Sequence, residues 1–213
     1  MKILLIFPGI EHGVTTYNDR GGWAPILFGY PAITLPHLAA LVPKKHEVEI
    51  INENYDKIDF DAEVDLVGLT SLTMTAPRVY KIADEFRKRG KTVVIGGFHA
   101  SAVPEEAKKH ADSVVIGEGD ISFPKLIKDF EKGKLKPFYH ADEEVDMASL
   151  PSIRRDLIKH VPIAGGVQST RGCQHKCEFC AITSFYKHGM KQRPVEKVVD
   201  EIEEMPNKIF LLH

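Results

Sequence analysis

The chain of 213 residues has an apolar fraction of 43%, a charged fraction of 27% and a formal net charge of -2 at pH 7. This composition is ordinary for a folded globular protein and excludes a largely disordered chain. With 28 basic and 30 acidic side chains, there is no charge excess that would attract nucleic acid or an anionic membrane surface.

The opening segment MKILLIFPGI carries an apolar run that is too short for a secretory signal or a membrane span. It is typical of a first β-strand. We therefore expect a cytoplasmic protein that has no nucleic-acid partner and no membrane association.

Short β-branched runs alternate with helical periods from residue 1 to about 131, which is the pattern of a parallel sheet covered by helices on both faces. The predicted strands are Ile3–Phe7, Glu47–Ile51, Leu66–Leu69, Thr92–Ile95 and Ser113–Ile116. Predicted helices begin after Thr75, at Pro104 and near Ile121. The sequence thus predicts a doubly wound, five-stranded Rossmann-like α/β domain over residues 1–135.

Between Pro8 and Ile33 the sequence is rich in aromatic residues and shows no clear period. Such a long stretch is either a packed binding loop or a surface excursion whose aromatic side chains cap the sheet.

Residues 136–162 have mixed charge and no sustained period, so we predict a linker there. A second unit over 163–213 is expected to contain a strand near Val167, a helix behind Pro194 and a strand over Ile209–Leu212. Because the sequence stops inside an apolar run, we expect a longer protein.

The three cysteines of the chain, Cys173, Cys177 and Cys180, lie within eight residues in the spacing C-x3-C-x2-C. Their odd number and the missing secretory signal argue against a disulfide framework. Thiolates are the usual ligands of iron-sulfur clusters, and a cluster held by three of them keeps one iron open for a small molecule. The alternatives are a Cys3His zinc site that includes His175 or His188, and a group of inert cysteines.

Ligands of open α/β sheets bind beyond the carboxyl ends of the strands, near the point where the strand order reverses. Candidate cofactor-binding residues in the turns at this edge are Pro8, Gly9, Thr70, Ser71, Thr73, Gly96, Gly97, Phe98, His99, Gly117, Glu118, Gly119 and Asp120. The glycines either let the backbone approach a cofactor or only make the turns, and the residues alone leave both possibilities open.

Two sets of residues resemble one known family. Ser169–Cys173 together with Phe179 and Cys180 resemble the signature of radical S-adenosylmethionine (SAM) enzymes. Gly96–Ala100, Pro104–Glu106 and Val114–Asp120 resemble the cobalamin-binding domain that precedes the radical SAM domain in many of these enzymes. The pieces that fit the same family elsewhere are Tyr30–Ile33, Leu38–Leu41 and Ser149–Pro151. The similarity covers nearly the whole chain, and the order of the two sets is itself characteristic of the family.

The resemblance implies a flavodoxin-like, cobalamin-binding domain followed by the beginning of a radical SAM partial TIM barrel. It also implies that Cys173, Cys177 and Cys180 hold a 4Fe-4S cluster that activates SAM. Phe179 would lie near the adenine of SAM, or alternatively face the core. Tyr30 and the turn residues would bind cobalamin. The Asp-x-His-x-x-Gly motif that supplies a cobalt ligand in other cobalamin proteins is absent, so His99 and His12 are either neighbours of the corrin or hydrogen-bonded to the backbone.

The activity implied by the resemblance is that of a cobalamin-dependent radical SAM enzyme. Such an enzyme performs methyl transfer or a radical rearrangement on an unactivated carbon of a small-molecule substrate. It needs an electron donor such as flavodoxin or ferredoxin. Because the barrel needs further βα units, we expect this chain alone to be inactive. The alternatives are a corrinoid-binding module without enzymatic activity and a zinc-stabilised interaction protein.

Overall fold

The computed structural model describes residues 1–9, 33–160, 164–186, 189–205 and 209–212. Tyr30, His12, His188 and most of the aromatic-rich stretch after Pro8 lie outside these residues. The predictions made for them are therefore not tested by the structure.

Within the described residues, one central sheet has six parallel strands: β1 (Lys2–Phe7), β2 (Glu47–Asn52), β3 (Leu66–Thr70), β4 (Thr92–Gly96), β5 (Ser113–Ile116) and β6 (Phe138–His140). The strands are ordered β2-β1-β3-β4-β5-β6, and every neighbouring pair is parallel. The direction of strand addition reverses between β1 and β3. In doubly wound sheets this reversal opens a crevice at the carboxyl ends of the strands.

The expected number of five strands is wrong, because β6 adds a sixth to this sheet. It has three residues and pairs with β5 from Val114↔Phe138 to Ile116↔His140. A strand this short at the sheet edge needs no continuous apolar run, and Pro137 before it is typical of a turn. β6 lies in the stretch predicted as a linker, and the domain boundaries themselves stay a prediction.

Five helices of the described residues accompany this sheet: α1 (Thr34–Ala40), α2 (Ala76–Lys88), α3 (Phe98–Ala102), α4 (Pro104–His110) and α5 (Gly119–Glu131). The predicted helices are α2, α4 and α5, and all three are confirmed. α2 begins after Thr75 and ends before Gly90, whose φ of 73° gives the left-handed turn that commonly follows a helix. α1 and α3 were not predicted, since seven and five residues are too few to establish a period. Among the described residues, no helix combines the length and the apolar character that a membrane crossing requires.

Both faces of the sheet are buried, which confirms the doubly wound α/β class. Successive residues of β1 point to opposite faces: Leu4 and Ile6 pack with α2, α3 and α4, whereas Ile3 and Leu5 pack with α1 and α5. A strand that is covered on both sides must be apolar throughout, and this explains the uninterrupted apolar run of β1.

The strands and α-helices of the cysteine-bearing part are β7 (Ala164–Val167), β8 (Thr170–Arg171), α6 (Ala181–Phe185), β9 (Lys191–Gln192), α7 (Val195–Glu203) and β10 (Ile209–Leu212). β7 pairs with β10 in parallel, and β8 pairs with β9 in antiparallel orientation. Val167, Val198 and Met205 form a small core that joins α7 to β7. The strand near Val167, the helix behind Pro194 and the last strand are thus confirmed.

Candidate functional site

A cavity of about 640 Å³ lies at the carboxyl ends of β1, β3, β4 and β5, beside the point where the strand order reverses. One side is formed by the sheet turns and by α1. The opposite side is formed by residues from the cysteine-bearing part of the chain, namely Gln168, Arg171, Phe185, Tyr186, Arg193 and Glu201. A largely apolar cavity with a few polar groups at its edge is the usual form of a small-molecule site.

Nine of the predicted turn residues line this cavity: Pro8, Thr70, Gly96, Gly97, Phe98, Gly117, Glu118, Gly119 and Asp120. These residues follow four different strands, and they meet because the carboxyl ends of parallel strands share one edge of the sheet. The positions that the sequence favours for a ligand therefore come together at one cavity.

Four predicted residues, Gly9, Ser71, Thr73 and His99, are not part of the described cavity lining. Ser71 is buried, and its hydroxyl donates to the carbonyl oxygen of Gly96 at 2.9 Å and accepts from the amide of Ala100 at 3.1 Å. Ser71 therefore ties the turn after β3 to the turn after β4. A direct cofactor contact of these four residues stays a prediction.

The ring of His99 makes contacts with side chains away from the cavity lining. Its Nε2 lies 3.0 Å from the Tyr80 hydroxyl, and its Nδ1 lies 3.3 Å from Thr73 Oγ1. The backbone amide of His99 donates to the carbonyl oxygen of Ser71 at 3.1 Å. The partners of the ring are therefore side chains and not the backbone group that the alternative assumed, and a contact of His99 with the corrin stays a prediction.

Gly97 is required by the chain itself. Its φ is 99°, and a Cβ added there would lie 2.7 Å from the carbonyl oxygen of Ser71. A side chain is thus excluded by both backbone conformation and space. For Gly97, turn formation accounts for the glycine whether or not a cofactor lies beside it.

Two acidic residues at the start of α5 form a buried ion-pair network with the cysteine-bearing part. Arg171 Nη1 donates to Glu118 Oε1 at 2.9 Å and to Asp120 Oδ2 at 2.7 Å. Lys191 Nζ donates to the second oxygen of Glu118 at 2.7 Å. All four side chains are only 6–8% exposed, so these pairs are shielded from water.

Asp120 also accepts from α1, because its Oδ1 lies 2.6 Å from His37 Nε2. Burial alone would raise the pKa of Asp120, but the hydrogen bond with His37 and the positive charge of Arg171 outweigh it and lower the pKa to about 2. The carboxylate is therefore ionised at neutral pH. For Tyr186, which lines the same cavity, burial raises the pKa of the hydroxyl group, and the nearby Arg171 opposes this change.

A third buried carboxylate, Glu201 of α7, lies between two arginines. Arg155 Nη2 donates to its Oε1 at 2.6 Å, and Arg193 Nη1 donates to its Oε2 at 2.5 Å. Arg155 also donates to the carbonyl oxygen of Gly166, and Arg193 to that of Gln168. These bonds attach α7 to the end of β7 beside the cavity.

The cysteine segment, residues 172–180, connects β8 to α6. Its three thiols are free; that of Cys177 is exposed and those of Cys173 and Cys180 are partly exposed. In the part of the chain that the structure describes, no three His, Cys, Asp or Glu side chains are gathered closely enough to hold a metal ion. The donors nevertheless fit an iron-sulfur cluster, because three accessible thiols on one short segment can converge when the metal binds.

Phe179 in this segment is 93% exposed. The alternative in which this ring faces the core is therefore wrong. Its expected place near the adenine of SAM stays a prediction.

An aromatic cluster joins the end of α6 to the turn after β4. The rings of Phe98 and Phe185 stack with their centroids 4.2 Å apart, and Tyr186 lies edge-on to both at 6.1 Å and 4.9 Å. Four residues of the site, Phe185, Tyr186, His37 and Lys191, were not predicted from the sequence. The sequence contains a signal for Phe185 and Tyr186 only, since this pair of aromatic residues begins five residues after Cys180.

The fold and the cavity define an α/β cofactor-binding domain of the flavodoxin-like strand order that is joined to a cysteine-bearing βα unit. Residues 24–127 match the family model of the B12 binding domain. This part of the chain is therefore a Rossmann-like α/β domain of the B12-binding type.

Two curated relatives come from Chlorobaculum tepidum. The chain is 38% identical to bacteriochlorophyllide d C-8(2)-methyltransferase in an alignment of length 186, gaps included, that covers 81% of this chain and 40% of the relative. It is 30% identical to bacteriochlorophyllide d C-12(1)-methyltransferase in an alignment of length 217, gaps included, that covers 92% of this chain and 48% of the relative. The chain thus spans less than half the length of these two relatives.

A solved structure has the same fold. It is the radical S-adenosylmethionine methyltransferase TsrM from Kitasatospora setae, determined with tryptophan substrate and a SAM analogue bound. The TM-score is 0.70 at 18% identity, and the match covers 95% of this chain and 45% of that chain. At this identity, the similarity shows the fold alone.

Proposed function

We propose that this chain binds cobalamin and a 4Fe-4S cluster and acts in SAM-dependent methyl transfer to an unactivated carbon of a small-molecule substrate. The observation that carries the proposal is the shared cavity. Its sheet side belongs to the part that matches the B12-binding family, and its other side belongs to the part that carries the three cysteines. The methyltransferase names of the relatives support the reaction class.

The described residues suit both cofactors. On the sheet side, apolar side chains and glycine backbone form a wall for the flat face of a corrin ring, and polar groups at the edge can hydrogen-bond to its amides. Cys173, Cys177 and Cys180 would hold the cluster. When bound, the cluster would supply the electron for reductive cleavage of SAM, and cobalamin would carry the methyl group.

The residues of the chain would have three tasks in this reaction. The cysteines retain the cluster, the sheet turns hold the corrin, and the buried ion pairs keep water away from the space between them. An electron donor such as flavodoxin or ferredoxin would be needed to supply the electron. Because free thiols and such a cluster require reducing conditions, we propose a cytoplasmic location.

Metal analysis of the anaerobically purified chain tests the cluster. We expect iron and acid-labile sulfide after reconstitution, and an electron paramagnetic resonance signal after reduction. Cys177→Ala should lose this signal, whereas His175→Ala, a change in the same segment, should keep it. Stoichiometric zinc that is lost in His175→Ala would contradict the proposal and favour a zinc-stabilised protein.

Titration with hydroxocobalamin, followed by its absorbance, tests the second cofactor. Thr70→Trp places a large side chain in the cavity and should weaken binding by about tenfold or more, which corresponds to about 1.4 kcal/mol. Thr92→Trp is the matched control, because Thr92 lies at the opposite, amino-terminal end of the neighbouring strand. Equal affinities of the two variants would show that cobalamin does not bind in this cavity. Corrin binding without any iron-sulfur cluster would leave a corrinoid-binding module.

A further inference from the structure

We infer that Arg171 and Phe98 are positioning residues that fix the two ends of the cysteine segment against the wall of the cofactor cavity. Arg171 lies two residues before Cys173, and Phe98 contacts α6, which begins directly after Cys180. The positions of the three thiols relative to the cavity would therefore be set by contacts with the sheet turns. The functional meaning of this inference rests on the proposed function, whereas the contacts do not.

The first contact is ionic and buried. The guanidinium of Arg171 bridges Glu118 and Asp120, which belong to the turn after β5 and line the cavity. Its Nη2 also donates to Gln168 Oε1 at 2.8 Å. These groups are shielded from water. If Arg171 moved away, the two buried carboxylates would lose its positive charge without gaining water in its place, which is unfavourable. The pair thus holds the start of the segment firmly to the turn after β5.

The backbone next to Arg171 adds to this restraint. Gly172 has a φ of 84°, and a Cβ added there would collide with the carbonyl oxygen of Gly189. The chain at Gly172 is therefore packed directly against another backbone segment. Little conformational freedom remains between the guanidinium contact and the first cysteine.

The second contact is aromatic. Phe98 follows β4, lines the cavity and stacks on Phe185 at the end of α6, while Tyr186 closes the cluster edge-on. Offset or tilted aromatic pairs have a preferred geometry, so they restrict rotation as well as separation. The end of the segment is thus held to the turn after β4, which is the strand adjacent to β5.

Two contacts on neighbouring turns define the orientation of a segment better than one contact can. If the cluster and the corrin react with the same bound molecule, their relative position determines whether the reacting atoms meet. Loss of either contact should therefore alter the arrangement of the two cofactors before it affects their binding.

Hydrogen-deuterium exchange of the cofactor-free chain tests the restraint itself. In Arg171→Gln and in Phe98→Ala, the amides of residues 172–186 should exchange about tenfold faster or more, while α2 keeps its protection. Arg171→Lys should restore part of the protection. Arg154→Gln is the matched control, since Arg154 forms an exposed pair with Asp156. Unchanged exchange in both variants would overturn the inference; if Arg171→Gln loses the fold, Phe98→Ala decides alone.

Pulsed electron paramagnetic resonance of the chain loaded with reduced cluster and cob(II)alamin tests the consequence. The magnetic coupling between the two centres depends steeply on their distance, so both variants should give a shifted or broader coupling than the unmodified chain and Arg154→Gln. Failure of the unmodified chain to bind either cofactor would refute the proposed function and leave the exchange result standing. Full binding with identical couplings in all four proteins would refute the positioning role.

Discussion

Replacement of Asp120 by asparagine should destabilise the protein in a pH-dependent way. The pKa of Asp120 is lowered from its ordinary value of 3.8 to about 2 in the folded chain. Burial of the carboxylate would raise its pKa. The hydrogen bond with His37 and the positive charge of Arg171 lower the pKa by more than burial raises it. The difference between the two pKa values is about 1.8, so at about 1.4 kcal/mol per pKa unit the ionised carboxylate contributes about 2.5 kcal/mol at neutral pH.

The sign of the pH dependence follows from the lowered pKa. The folded state holds its proton less tightly than the unfolded state, so the contribution is complete well above pH 3.8 and is lost as the pH falls through about 2. At pH 3 roughly half of it should remain. Asp120→Asn lacks this carboxylate, so the stability difference from the unmodified chain should be about 2.5 kcal/mol at pH 7 and clearly smaller at pH 3.

Urea-induced unfolding followed by circular dichroism at pH 7, 5, 4 and 3 measures this difference. Asp156→Asn is the control, because Asp156 pairs with Arg154 at a site where its side chain is 61% exposed. Such a pair contributes at most about 1 kcal/mol. A loss in Asp120→Asn that is the same at pH 7 and pH 3, or that does not exceed the loss in Asp156→Asn, would refute the reasoning.

Three further substitutions test the packing around the site through their free energies of unfolding. Gly97→Ala should cost about 1–3 kcal/mol because of its φ of 99° and the contact with Ser71, and more than Gly90→Ala, where the left-handed backbone faces open space; equal losses would show that the contact relaxes. Phe86→Ala removes a fully buried ring and should cost about 3–5 kcal/mol, whereas Phe179→Ala, at 93% exposure, should stay within about 0.5 kcal/mol. Glu201→Gln leaves Arg155 and Arg193 without their carboxylate and should cost about 3 kcal/mol. Glu203 is exposed, so Glu203→Gln should be neutral. A neutral Glu201→Gln would mean that water replaces the lost carboxylate.

The sequence predicts the regular part of the fold well because that part depends on local patterns. A buried strand or helix face must be apolar whichever element packs against it. This requirement is visible in the apolar runs of β1, β3 and β4 and in the apolar face of α2. β6 and α3 carry no such signal. Each is held by its neighbours in the sheet or by the turn before it, and three to five residues cannot establish a period.

The candidate site also has residues that could be predicted from local patterns and residues that could not. The glycines and polar residues at and after Thr70, Gly96 and Gly117 could be predicted as site residues. The reason is that the carboxyl ends of parallel strands lie at one edge of the sheet. Selection by position alone also chose Ser71 and His99, whose hydrogen bonds are made within the protein. The direction of a polar side chain in a turn depends on its hydrogen-bond partner. The position of the turn at the end of a strand gives no information on that partner.

The contacts that close the cavity are long-range pairs, and for that reason they escape a local reading. Arg171 is separated by 53 residues from Glu118 and by 51 from Asp120, and Lys191 is separated by 73 from Glu118. Charged residues are almost never buried without a partner, so each of them, taken singly, is expected at the surface. Burial becomes acceptable only when all of them meet, and this requires β8 and β9 to lie against the start of α5. The cysteine spacing therefore predicts the kind of cofactor, whereas the position of the thiols relative to the cavity would, by our inference, depend on these long-range pairs.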